Sequence, residues 1–219
     1  NYLCILDGID FGLVDEARLP RRLRTGKVDG FIVIGQVEKQ YIQYIRENAD
    51  VPIMFLDSYD STNGNDSIVS DGYYGMYSMT NHLIHHGHQD IFFVGSVGFT
   101  SSISDRYYGF CRAMRENGLV VDDGRIVPDR DAEGKIYVEL PSKLPTAFAC
   151  NCDIAAYQVI DKLQKRGLSV PEDISVVGFD DYQLDAIKVP NITTYAVGMV
   201  NRARSWFVRS LSQIYNPAY

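Results

Sequence analysis

Short apolar runs alternate with longer segments of helical spacing along almost the whole chain. Tyr2–Leu6, Phe31–Ile34, Pro52–Leu56, Ile91–Gly95, Thr146–Cys150 and Ile174–Gly178 have strand length and continuous apolar character, and most are bounded by Gly, Pro or Asp. Between them the spacing predicts helices over Glu16–Arg24, Glu38–Glu47, Asp105–Asn117 and Asp153–Arg166. In the second of these Tyr41, Ile42 and Ile45 share one face. A long helix starts at the N-cap Asp71 and stops at His86-Gly87-His88, and the last helix covers Val200–Ile214. Ile68–Val69 and Thr193–Ala196 read as brief strands, and Asp60–Asn65 as a loop. Asp122–Pro145 is polar and irregular, with a short strand expected at Ile126–Val127.

Strand, helix, strand in repetition means right-handed crossovers and parallel sheets, an α/β architecture. The strand runs do not alternate polar with apolar, so helices are expected on both sheet faces. The pattern changes character near Gly95–Ser104, and a second crossing is expected near Val189–Val197. The expected organisation is therefore an N-terminal lobe of residues 1–97 plus 197–219 and a C-terminal lobe of residues 98–196.

Composition narrows the function. Among 219 residues, 46% are hydrophobic and 22% charged, which supports a normal core. A formal charge of −7 repels phosphate backbones, so these residues by themselves are a poor nucleic-acid surface. The basic cluster Arg18, Arg21, Arg22 and Arg24 reads as a solvated helix face. Cys4, Cys111, Cys150 and Cys152 lack zinc-site spacing; Cys4 and Cys150 lie in apolar runs, as free thiols do in a reducing compartment. No apolar stretch reaches the roughly 18 residues of a membrane helix, and no signal peptide is visible at Asn1. The chain opens in a strand without an initiator Met, so a longer protein is expected.

Ligands of parallel sheets bind beyond the carboxyl ends of the strands. The residues there are Gly35-Gln36, Asp57, Ser96–Ser102, Asn151-Cys152-Asp153 and Asp180-Asp181, a polar rim suited to the hydroxyls of a sugar or nucleoside. Each also has a plain structural reading: Asp153 as a helix cap, Asp57 as a loop carboxylate, Asp180 and Asp181 as turn residues. There is no nucleophile elbow, Walker loop or dinucleotide loop, so neither an enzyme nor a bound cofactor is expected. His82, His85, His86 and His88 cluster at one helix end, where the dipole favours them as surface residues rather than metal ligands.

Several motifs together resemble one family. They are Val28-Asp-Gly30, Pro52–Asp57, Asp71-Gly-Tyr-Tyr-Gly75, His82-Leu-Ile-His-His-Gly-His88, Asp105-Arg-Tyr-Tyr-Gly-Phe110, Pro145-Thr-Ala147 with Asp153-Ile-Ala155, and Pro190-Asn-Ile-Thr-Thr194. The most specific is Val170-Pro-Glu-Asp-Ile-Ser-Val-Val-Gly-Phe-Asp-Asp181. The chain resembles the effector-binding domain of LacI/GalR-type bacterial transcription regulators. That resemblance implies a fold like type I periplasmic binding proteins: two Rossmann-like lobes with parallel sheets, joined by crossing strands, and a sugar-like effector between them. It implies effector contacts from Arg106, Asp180, Asp57, Asp153 and residue 152, here Cys152 where the family commonly has an amide. Ser101 and Met199 are weaker candidates, and no metal site is implied. It also implies a homodimer in the cytoplasm, with operator DNA read by a helix-turn-helix that these residues do not include. The alternative is an extracytoplasmic sugar-binding protein of a transporter.

Overall fold

The structure is a computed structural model that describes Leu3, Ile5, Gly8 and residues 18–26, 28–35, 37, 39–49, 51–59, 66–182 and 192–197. The described residues fall into two compact units, one within Asn1–Val69 and one within Ser70–Gly198. Of the strand expected at Tyr2–Leu6 only Leu3 and Ile5 are described, and the last helix and the loop approaching Pro190 lie outside the described residues.

The first unit contains α1 (Arg21–Arg24), β1 (Phe31–Ile34), α2 (Lys39–Asn48), β2 (Ile53–Leu56) and β3 (Asp66–Ile68). Its strands form a parallel sheet in the order β1-β2-β3, with Phe31 level with Ile53 and Met54 level with Asp66. The helical spacing of Tyr41, Ile42 and Ile45 does what it predicts: all three are buried against apolar neighbours that include Leu23, Val33 and Phe55. The Tyr41 hydroxyl donates to the Arg18 carbonyl at 2.7 Å, so the one polar atom on that face is satisfied.

The second unit contains α3 (Gly72–His85), β4 (Ile91–Val94), α4 (Ser101–Glu116), β5 (Ile126–Val127), β6 (Ala147–Cys150), α5 (Asp153–Lys165), β7 (Ser175–Asp180) and β8 (Thr193–Ala196). All five strands are parallel, in the order β5-β4-β6-β7-β8. Helices cover both faces. Phe148, Cys150 and Val176 pack with α5 residues such as Ala156 and Leu163. Ala147, Ala149, Val177 and Phe179 point the other way, into the core formed with Met76, Phe110 and Met114 of α3 and α4. Successive residues of one apolar run thus serve opposite cores.

Local chemistry sets the helix ends. Asp71 accepts the Tyr74 N–H at 3.0 Å, as expected of an N-cap. The helix expected from Asp105 instead starts at Ser101, because the Thr100 hydroxyl accepts the Ile103 N–H at 3.1 Å and caps it one turn sooner. Helices α3 and α4 approach so closely that a Cβ on Gly109 would collide with the Tyr73 carbonyl. Strand β4 pairs with β5 and β6 and so lies in the unit that begins at Ser70.

Candidate functional site

Numbered within its own unit, the five-stranded sheet has the order 2-1-3-4-5. The strand order therefore reverses between β4 and β6. At such a switch point the connections leave to opposite faces and open a crevice beyond the strand ends, where ligands of doubly wound folds bind. The segments that follow these strands are Gly95–Phe99, Pro128–Arg130, Asn151–Asp153 and Asp181–Tyr182.

Arg106 reaches this edge from the second turn of α4 and is only 6% exposed. Its guanidinium lies 4.1 Å from the ring centroid of the buried Phe179. Nη1 donates to the Asn151 carbonyl at 2.8 Å, and Nη2 donates to Asp180 Oδ1 at 3.3 Å. Nε is buried and has no hydrogen-bond partner among the described residues. A desolvated guanidinium is tolerated only where partners replace water, and here a carbonyl, a carboxylate and an aromatic face do so.

Asp180 is the last residue of β7, with φ 110° and a side chain 38% exposed. It presents an acceptor beside the Arg106 donors. Asp57, at the corresponding end of β2 in the first unit, also has positive φ, 61°, and its N–H donates to the Ile68 carbonyl at 2.8 Å. Left-handed backbone at two aspartates that end strands is sparsely populated, and such conformations concentrate at functional sites.

Asp153 lies at the same edge but is held by the protein. Its Oδ1 accepts from the Thr194 hydroxyl and its Oδ2 from the Tyr182 N–H, both at 2.6 Å. Burial raises its carboxyl pKa, and these hydrogen bonds oppose the rise. A Cβ on Gly178 would strike Asp153 Oδ1, so glycine is what lets the carboxylate seat there. Cys152 takes the N-cap position of α5 without a side-chain cap bond. Burial pushes its thiol up to about 11; the Ala155 N–H and Arg106 act against that, while Asp129 and Asp180 add to it. Ser101, first in α4, has a buried Oγ without a hydrogen-bond partner among the described residues. Met199 lies outside the described residues.

Asp180, Cys152 and Asp153 lie at one sheet edge, where the strand-end rule places them, and Arg106, singled out only by the resemblance, reaches the same edge. Phe179, Asn151 as a backbone acceptor, and Asp129 were not singled out. Asp129 follows β5, so the same rule reaches it, but a two-residue strand inside an irregular segment gives little signal. The histidines lie elsewhere. His82 and His86 have ring centroids 4.3 Å apart, and His88 bridges the Thr146 and Ser175 hydroxyls at 3.1 and 2.9 Å. Among the described residues no group of His, Cys, Asp and Glu could hold a metal, and no helix is long and apolar enough to cross a membrane.

Residues 80–218, more than half of the chain, match the periplasmic binding protein-like domain. A protein named HTH-type transcriptional repressor PurR, from Glaesserella parasuis, is 32% identical over 173 residues, covering 77% of this chain and 51% of the relative. Its namesake from Aliivibrio salmonicida is 32% identical over 204 residues, covering 88% of this chain and 59% of the relative. The chain therefore spans between half and three fifths of the length of these relatives. A LacI family transcriptional regulator from Mycobacterium smegmatis has the same fold, with a TM-score of 0.75 at 22% identity, covering 90% of this chain and 74% of that one. The chain belongs to the periplasmic binding protein-like domain family, in the form carried by LacI-type regulators.

Proposed function

We propose that this chain is the effector-sensing and dimerisation part of a bacterial LacI-type transcription regulator. The observation that carries this is Arg106: a buried guanidinium whose Nε has no partner among the described residues, seated beside Asp180 at the switch point of a parallel sheet. A donor and an acceptor side by side suit a hydroxyl, which both donates and accepts, so the effector is a small sugar-like molecule. Arg106 and Asp180 are its principal contacts, with Cys152 and Ser101 beside them. Asp153 holds the β7–β8 connection in place and contributes indirectly. Asp57 and Met199 are further proposed contacts, on the resemblance alone.

Operator DNA is read by a helix-turn-helix elsewhere in the protein, and the effector shifts the equilibrium between two states that differ in operator affinity. The names of the relatives, transcriptional repressors, support this role over that of a transporter's extracytoplasmic binding protein. A cytoplasmic homodimer that senses rather than catalyses belongs to the same proposal, on the resemblance alone.

Isothermal titration against pentoses, hexoses and nucleosides tests the sensing role. One class should bind, and Arg106→Ala should weaken that binding about 10- to 100-fold, the value of one or two charged hydrogen bonds. Heat-silent titrations across the panel would remove the sensing role for hydroxylated ligands.

A further inference from the structure

Asp129 is fully buried, and its carboxylate is met by three donors. Oδ1 accepts the Ser96 N–H at 2.7 Å, and Oδ2 accepts Asn151 Nδ2 at 2.7 Å and Arg130 Nη1 at 2.6 Å. The Asp129 N–H in turn donates to the Ser96 hydroxyl at 3.1 Å. Ser96 follows β4, Asp129 follows β5 and Asn151 follows β6, so one carboxylate ties together three neighbouring strand ends across the switch point.

The chain of contacts continues to Arg106. Asn151 Nδ2 also donates to the Val94 carbonyl at 3.0 Å, and the Asn151 N–H donates to the same carbonyl at 2.9 Å. With both Nδ2 protons on acceptors, the amide has one orientation; turned over, it would set an oxygen against two oxygens. The residue is therefore fixed by side chain and backbone together, and its carbonyl is the acceptor for Arg106 Nη1 at 2.8 Å. On the other side Asp129 holds Arg130, whose guanidinium lies 5.7 Å from the Phe99 ring centroid.

We infer that Asp129 is a positioning residue of the effector site, acting through Asn151 to fix the plane of the Arg106 guanidinium. The inference rests on Arg106 being an effector contact, as proposed above. Three donors converge on Asp129, so only an anion satisfies them all. An amide at this position would turn an NH2 group toward at least one donor, and buried donors without acceptors are expensive.

The experiment is guanidinium-detected NMR on the isotope-labelled chain, with the Arg106 signals assigned by their loss in Arg106→Lys. In the unsubstituted chain the two Nη signals of Arg106 should be distinct, because rotation about its Nε–Cζ bond is slow. In Asp129→Asn that rotation should accelerate by about tenfold, the loosening expected from one charged hydrogen bond. Asn151→Ala keeps the backbone carbonyl but cuts the link to Asp129, and should accelerate it similarly; this variant decides the matter if Asp129→Asn does not fold. A general loss of stability would lower the unfolding midpoint without loosening Arg106 in the folded state. Unchanged Arg106 rotation in a folded Asp129→Asn or Asn151→Ala chain overturns the inference. The readout needs no effector, so failure of the sugar panel and failure of this relay are separate results.

Discussion

Arg106 and Cys152 show how the same burial acts on two kinds of side chain. Around the buried guanidinium, Asn151, Asp180 and Phe179 take the place of water. Burial pushes the Cys152 thiol up to about 11, and the Ala155 N–H and Arg106 only partly oppose the rise. Since the thiolate is the nucleophile, Cys152 should react sluggishly with iodoacetamide at neutral pH. Its rate should still be rising about tenfold per pH unit between pH 8.5 and 9.5, where an ordinary thiol of pKa about 8.5 levels off. Mass spectrometry of the modified peptide measures this; a plateau near pH 8.5 at Cys152 would contradict it. Individual residues were unevenly legible in the sequence. Asp180 was visible because an acid directly after a long apolar strand stands out. Asn151 acts on Arg106 through its carbonyl, which every residue has, so its identity held no clue to that contact. Phe179 was hidden for the opposite reason: an aromatic in an apolar strand reads as core, and here it is both core and platform.

The elements were easier to read than their limits. The apolar runs of β4, β6 and β7 specify strands because both of their faces are covered, and no competing period intrudes. The start of α4 was misplaced because Ser101 and Ser102 are poor helix-interior residues, and only the Thr100 cap shows that they belong to its first turn. The junction ahead of β6 and β7 makes a separate prediction. There His88 joins Thr146, just before β6, to Ser175, the first residue of β7. Burial, then the nearby His86, lowers the His88 pKa. A lowered pKa means the unfolded chain takes up the proton first. The stability linked to His88 is therefore fully present above about pH 6.5 and lost as pH falls below that value toward the lowered folded pKa. His82 shifts in the same direction for the same leading reason and adds to the slope. Urea unfolding at pH 7.5 and 5.5 should show a smaller acid loss in His88→Asn than in the unsubstituted chain. Equal losses would mean that the His88 bridge does not carry the effect.

At the scale of the whole second unit, the two ends of one sheet have different duties. The amino-terminal edge carries His88 and its two hydroxyls, a clamp that concerns stability. The carboxyl edge carries Arg106, Asp180 and the Asp129 cluster, grouped where the strand order reverses. The sequence made the parallel sheet and its polar edge legible, but not the reversal. Strand order depends on which face each crossover takes, and a single apolar run covered on both sides does not encode that choice locally. The separation of the two ends is testable in one comparison. A sugar that binds only the folded chain raises stability by about 2.7 kcal/mol at 100 times its dissociation constant, whatever the starting stability. His88→Asn should therefore lower the unfolding midpoint yet keep the ligand-induced rise in full, because its bridge lies at the far end of β6 and β7. Arg106→Ala should lose most of the rise at the same ligand concentration. Denaturant melts of the three chains, with and without the sugar that binds best among pentoses, hexoses and nucleosides, read both effects. A rise that shrinks in His88→Asn as much as in Arg106→Ala would mean that the two edges are energetically one site, against the division drawn from their contacts.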